Sequence, residues 1–225
     1  MQSRNYSASN GTRVISLPKT FSEPEVFADK IFYYKNAIEN PAHLVELIES
    51  IDPVLSDLDC ITPWRRWVAS KDPGQEEQED YIFGAQKQSN KSKLSTSSED
   101  VKFIYNTLTT ALLSAGADYC SRLGVESVPP SPLSISKYVQ GASMGPHVDY
   151  HGEQHIAPIM SGVIYLNDDV VGGELEFPEQ GVRIKPIAGS IIIFPSVAPY
   201  YHQSLPIISG TKYMSPIFWT KILAN

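Results

Sequence analysis

Near Pro129 the hydrophobic pattern of this 225-residue chain changes period, and that change limits the folds open to it. From there on, short runs rich in β-branched and aromatic residues are separated by Gly, Pro, Asn and Asp, the pattern of strands bounded by turns. The runs are Leu133–Val139, Gly162–Leu166, Glu174–Phe177, Val182–Lys185, Ser190–Phe194 and Tyr213–Trp219. Several short strands at this spacing suit a sandwich or barrel. One strong helix precedes them. Val101, Ile104, Leu108, Leu112, Ala115, Tyr119 and Leu123 recur at three- and four-residue steps and form a single stripe. Ser97 with Asp100 three residues on resembles a capping box, and Gly124 suits a helix stop. Such a stripe needs an apolar partner, and the following sheet supplies one. The expected fold is mainly β, a jelly-roll core with N-terminal helices packed on one sheet.

The rest of the chain divides by composition within a single expected domain. Residues 1–30 are weakly patterned and read as an arm. Residues 31–128 read as helical support and contain a second helix from Asn40 to Glu49. There Asn40 is a candidate cap, Pro41 fits the first position, and Leu44, Leu47 and Ile48 share a face. Asp52-Pro53 ends it. Residues 71–100 form a polar loop: Lys71–Asp80 and Gln86–Ser98 are loop by composition, with Tyr81-Ile82-Phe83 as an apolar interruption. A linker and a lid over a substrate cleft both fit that stretch. Residues 129–225 carry the jelly roll. There is no internal repeat.

Composition narrows the partners. Hydrophobic residues make up 42% of the chain, yet no run approaches the roughly 20 apolar residues of a membrane-spanning helix. The N-terminus lacks the apolar stretch of a secretory signal, so the expected location is cytoplasmic, with no membrane partner. The two cysteines, Cys60 and Cys120, make no disulfide framework, and Cys120 reads as a small hydrophobe within the helical stripe. With 18 basic against 25 acidic residues the net charge is −7, which argues against a nucleic-acid partner without excluding a local basic groove.

Chemistry concentrates at His147-Val148-Asp149. In an extended segment residues i and i+2 project to one face, so imidazole and carboxylate reach a common metal ion. His202 follows the apolar run Ser190–Pro195, which is able to hold it rigidly. Two histidines and one carboxylate on one face of a metal are the facial triad of non-haem Fe(II) oxygenases, with open positions for co-substrate and dioxygen. A rival set uses His147 and His151, four apart, as zinc ligands on a helix. Pro146, Gly152 and β-branched Val148 oppose a helix there. His155, in the same loop, reads as a substrate contact or a surface residue.

From about Ser136 onward the chain resembles the prolyl 4-hydroxylase-like branch of the Fe(II)/2-oxoglutarate dioxygenases. The landmarks come in the family's order: Tyr138, His147-Val148-Asp149, Ile164-Tyr165-Leu166-Asn167 and Gly172-Gly173-Glu174-Leu175-Glu176-Phe177. Then come Pro186-Ile187-Ala188-Gly189, Phe194-Pro195, His202 and Gly210-Thr211-Lys212-Tyr213. The resemblance implies a double-stranded β-helix, with His147, Asp149 and His202 as catalytic iron ligands. It implies that Lys212 pairs with the distal carboxylate of 2-oxoglutarate, and that Tyr138 and Tyr165 line the co-substrate pocket. A lone buried ammonium is costly without an anion, which agrees with that role for Lys212.

The implied activity is hydroxylation of a C–H bond using Fe(II), 2-oxoglutarate and O2, with release of succinate and CO2. The expected substrate is a prolyl or other residue of a peptide or protein. Oxidation of a small molecule or of alkylated nucleic acid, and a non-catalytic binding module, are the alternatives. Relatives that halogenate replace the carboxylate by a small residue, so Asp149 implies hydroxylation. Two departures bear on the substrate. Ala157–Ser161 lacks the Arg usual before the Tyr-Leu-Asn strand and has Ser161 in place of a Thr. The familiar Trp is displaced by one to Trp219, with Phe218 in its place.

Overall fold

A computed structural model describes residues 23–56, 58–68, 82–126, 128–150 and 156–222. In chain order the elements are β1 (Glu25–Phe27), β2 (Ile31–Tyr34), α1 (Pro41–Ile51), β3 (Arg65–Val68), β4 (Ile82–Gln88) and α2 (Glu99–Leu123). They continue with β5 (Ser134–Tyr138), β6 (Met144–His147), β7 (Ile156–Tyr165), β8 (Val171–Gly172) and β9 (Leu175–Phe177). The last are β10 (Val182–Ile184), β11 (Ile191–Pro195), β12 (His202–Ser204), β13 (Ile207–Ser209) and β14 (Lys212–Ile222).

The large sheet runs β1-β2-β11-β7-β14-β5-β4-β3, and a small sheet runs β10-β9-β12-β6, every pairing antiparallel. From β5 onward the chain passes back and forth between the two sheets. This is the expected jelly roll in double-stranded β-helix form. Side chains alternate across each strand. One face of the large sheet, with Phe32, Tyr34, Ile135, Ile164, Ile191, Ile193 and Trp219, packs on Leu44 and Ile48 of α1 and Leu108, Leu112 and Ala115 of α2. The other face, with Tyr33, Tyr138, Tyr165, Ile192, Phe194 and Met214, meets Leu175, Phe177 and Ile184 of the small sheet. The barrel interior lies between the sheets. No helix among the described residues is long and apolar enough to cross a membrane.

The structure corrects the reading of residues 31–128 as purely helical support. β2, β3 and β4 lie in that stretch, and β1 lies within the expected arm. The expected loop Gln86–Ser98 is in fact the end of β4 followed by a 3-10 turn, Lys91–Thr96. Polar composition misleads here because β4 is paired on both sides, by β3 and β5. Lys87, 1% exposed, is held by an ion pair with Asp52 and lies 4.5 Å over the Trp64 ring. Residues 1–22 of the arm and 71–81 of the polar loop lie outside the described residues.

Helix ends differ in detail. Asn40 adopts a left-handed conformation (φ 49°) and caps nothing with its side chain. Ser98, not Ser97, accepts from the Val101 N–H (3.3 Å). The Ser97 hydroxyl instead accepts from the Cys60 N–H (2.7 Å) and donates to the Lys93 carbonyl (3.0 Å). Gly124 ends α2 at φ 63°, as expected, and Cys120 is buried.

Candidate metal centre

His147 ends β6 and His202 opens β12, and the two face each other directly in the ladder of the small sheet. Residues opposite one another on adjacent strands bring their side chains together. The rings lie 4.3 Å apart between centroids, tilted by 52°. Asp149, two residues past His147, places Oδ1 3.6 Å from His147 Nε2 and Oδ2 3.6 Å from His202 Nε2. One ligand atom from each residue falls within 4.8 Å of the others, a set able to hold one ion.

The surroundings orient the donors. His147 Nδ1 lies 2.8 Å from the Gly145 carbonyl oxygen, and His202 Nδ1 lies 3.3 Å from that of Tyr200. With each Nδ1–H given to a carbonyl, Nε2 keeps its lone pair for the centre, as metal-bound histidines require. Phe194 packs edge-on against His202 at 4.6 Å. Burial works against the charged form of His147, but Asp149 and the Gly145 carbonyl outweigh it and raise its pKa. Burial dominates at His202 and lowers its pKa. Asp149 resists its own burial through His147, His202 and Ser161, and its pKa is lowered. The carboxylate is therefore ionised and acceptor-only. Exposure is graded, at 29% for the His147 side chain against 11% for Asp149 and 8% for His202, so the centre opens toward His147 and the edge strand β6.

Lys212, 1% exposed, begins β14 and sits opposite Tyr138 of β5. Its Nζ donates to the Gly173 carbonyl (2.9 Å) and Ser204 Oγ (2.7 Å) and lies 5.0 Å from the Tyr138 ring centroid. No described carboxylate pairs with it at ion-pair distance. Burial pushes its pKa down to about 7, against the pull of Glu174. Tyr138 and Tyr165 are buried on the same interior wall, and burial raises both phenol pKa values, so both remain donors.

Three residues that the sequence reading did not single out for this site belong to it. Tyr33 of β2 joins the wall beside Tyr165. Ser204 carries the lysine contact, and its position two residues from His202 on a strand was the available signal. Ser196 approaches Asp149 through Ser161. His151 and His155 lie outside the described residues, while His147 stands in a strand and not in the helix that the rival zinc set needs. A cleft of about 1130 Å³ beside Gln88, Lys93, Tyr105 and Pro130 contains none of the site residues.

Residues 133–221 match the 2OG-Fe(II) oxygenase superfamily. No curated protein matches the chain. Among solved structures, a viral collagen prolyl hydroxylase from Paramecium bursaria Chlorella virus 1, solved with 2OG, is 14% identical at a TM-score of 0.56. That likeness covers 87% of this chain and 98% of that one. A Pseudomonas putida prolyl-4-hydroxylase is 16% identical at a TM-score of 0.53, over 85% of this chain and 92% of its own. A Trichoplax adhaerens prolyl hydroxylase, in complex with a hypoxia inducible factor peptide, is 14% identical at 0.56, over 85% and 84%. At such identities these likenesses establish the fold.

Proposed function

Because residues 133–221 match the 2OG-Fe(II) oxygenase superfamily, we propose that His147, Asp149 and His202 hold the iron of this enzyme. Lys212 holds the distal carboxylate of 2-oxoglutarate, and the substrate is a residue of a peptide or protein. The observation that carries this reading is one strand, β12. It bears His202 at the ligand cluster and, two residues on, Ser204 against Lys212. Two residues of strand span about 6.7 Å, a length that suits a five-carbon diacid lying between metal and lysine.

The donor set fits the ion: two imidazole nitrogens, which bind a metal in their neutral form, and one carboxylate, the set that leaves further positions for co-substrate and dioxygen. When bound, iron would supply the centre at which O2 is reduced, one oxygen atom oxidising 2-oxoglutarate to succinate and CO2 and the other replacing a substrate C–H by C–OH. The chain does the rest. Lys212, Tyr138 and Tyr165 orient the co-substrate by charge and hydrogen bonds. Phe177, Phe194 and Ile192 keep water from the interior. The substrate enters on the more exposed His147 side, along β6, where Gly145 and Pro146 are exposed and no strand pairs with the outer edge among the described residues. That edge suits an extended peptide. The Trichoplax relative was solved with a peptide, which supports the same class. Proline as the target is not part of this proposal, since Ala157–Ser161 lacks the Arg of the prolyl branch.

The test is anaerobic Fe(II) titration with succinate release from 2-oxoglutarate, followed by mass spectrometry of a peptide library for one added oxygen atom. Asp149→Ala is expected to lose iron binding and turnover together. Iron binding that survives in Asp149→Ala unchanged would sink the ligand assignment.

A further inference from the structure

Two buried serines back Asp149. Ser161 of β7 is 2% exposed, and Ser196, just past β11, is fully buried. Ser161 Oγ donates to Asp149 Oδ2 at 2.5 Å, and the two serine oxygens are 2.7 Å apart. Ser161 has one proton, and the charged carboxylate takes it. Ser161 must then accept from Ser196, which fixes the direction of the chain as Ser196 to Ser161 to Asp149. Hydrogen bonds in series strengthen one another at low dielectric. Ser196 holds the same segment through its backbone as well: its carbonyl accepts from the Tyr150 N–H (3.0 Å), one residue after Asp149, and its own N–H donates to the Ile159 carbonyl (3.4 Å).

We propose that Ser161, backed by Ser196, is a positioning residue for the metal centre. It occupies Oδ2 and fixes the carboxylate rotamer, which leaves Oδ1 as the oxygen free to bind the ion. The alternative is that a serine is needed there only for its small size. The proposal rests on the assignment of Asp149 as a metal ligand. A buried hydroxyl aimed at a carboxylate is otherwise a desolvation cost that alanine or valine would avoid.

Co(II) serves as a spectroscopic probe of the centre, needing neither turnover nor co-substrate. Ser161→Ala and Ser161→Cys, which remove the strong donor with little change of volume, are expected to weaken Co(II) binding about 10- to 100-fold and to shift its visible absorption bands. Ser161→Thr, which keeps the hydroxyl, is expected to restore both. Ser196→Ala is expected to lose several-fold through the weakened donor, and it tests the chain if the Ser161 variants misfold. Wild-type affinity and spectrum in Ser161→Ala, or no rescue by threonine, overturns the proposal. Asp149→Ala separates the two readings. If it binds Co(II) as the wild type does, the ligand assignment fails and the role of Ser161 with it. If it loses binding while Ser161→Ala does not, only the positioning role fails.

Discussion

Lys212 is an amine placed where the described residues of the barrel offer a carbonyl, a hydroxyl and a ring face but no paired carboxylate. Its folded pKa of about 7 lies below the ordinary lysine value of 10.5, so between those two values the unfolded chain binds the proton and the folded chain does not. Stability therefore rises with pH across that window for the protein without co-substrate, and below about 7 the buried charge weighs fully against the fold. A bound dicarboxylate reverses the balance by favouring the charged lysine. Calorimetry in buffers of different ionisation enthalpy should show uptake approaching about one proton on 2-oxoglutarate binding near pH 8, and little near pH 6. Equal uptake at both would mean that the co-substrate's far end is held elsewhere. Among the described residues the groups facing Nζ are Ser204 of β12, Gly173 before β9, Tyr138 of β5 and the more distant Glu174, and of these only Glu174 brings a charge.

Trp219 joins three elements. A Cβ added at Gly116 of α2 would come within 2.6 Å of its indole, and one at Gly162 of β7 within 2.9 Å. Helix and sheet therefore approach through two glycines with the indole between them. Gly116→Ala should gain about 1 kcal/mol in helix propensity yet destabilise the protein by about 1–3 kcal/mol from overpacking, measured by chemical denaturation. Net stabilisation would show that α2 can shift without loss. The same residue explains the displaced tryptophan. Neighbouring positions on a strand point to opposite faces, so the one-residue shift puts Trp219 under α2 and leaves Phe218, paired with Ser161, on the interior side. The stripe of α2 was legible because its period is local, and the long apolar strands were legible for the same reason. β4 was not, because its Gln and Lys residues become a strand only when β3 and β5 pair with them and Asp52 meets Lys87.

The segment that matches the superfamily does not carry its own support. Within residues 133–221, Ile135, Ile164, Ile191, Ile193 and Trp219 are covered by α1 and α2, and four of the eight strands of the large sheet come from earlier in the chain. A protein consisting of 133–221 alone is expected to bind hydrophobic dyes and to show poor NMR dispersion, because its helix-facing side would be exposed to water. A cooperative thermal transition in that fragment would show instead that the barrel is an independent unit. The N-terminal part also reaches the interior, through Tyr33 of β2. The first third of the chain thus contributes to the wall of the site as well as to its support.

Residue type and local spacing pointed to a metal site, and the resemblance of the ordered landmarks to the 2-oxoglutarate dioxygenases chose its chemistry. An H-x-D pair and a later histidine are local facts, and alternation along a strand already puts the first two side chains on one face, while the role of the lysine ten positions on (212 − 202) is what the resemblance implies. What local pattern could not supply was which distant segments meet. The ladder sets His147 opposite His202, brings Ser204 to Lys212, and runs Ser196 through Ser161 to Asp149. Each of those contacts joins different strands or turns, and serines and short polar strands carry no periodic signal of their own. Their roles come from burial and pairing, which exist only once the two sheets have closed on each other.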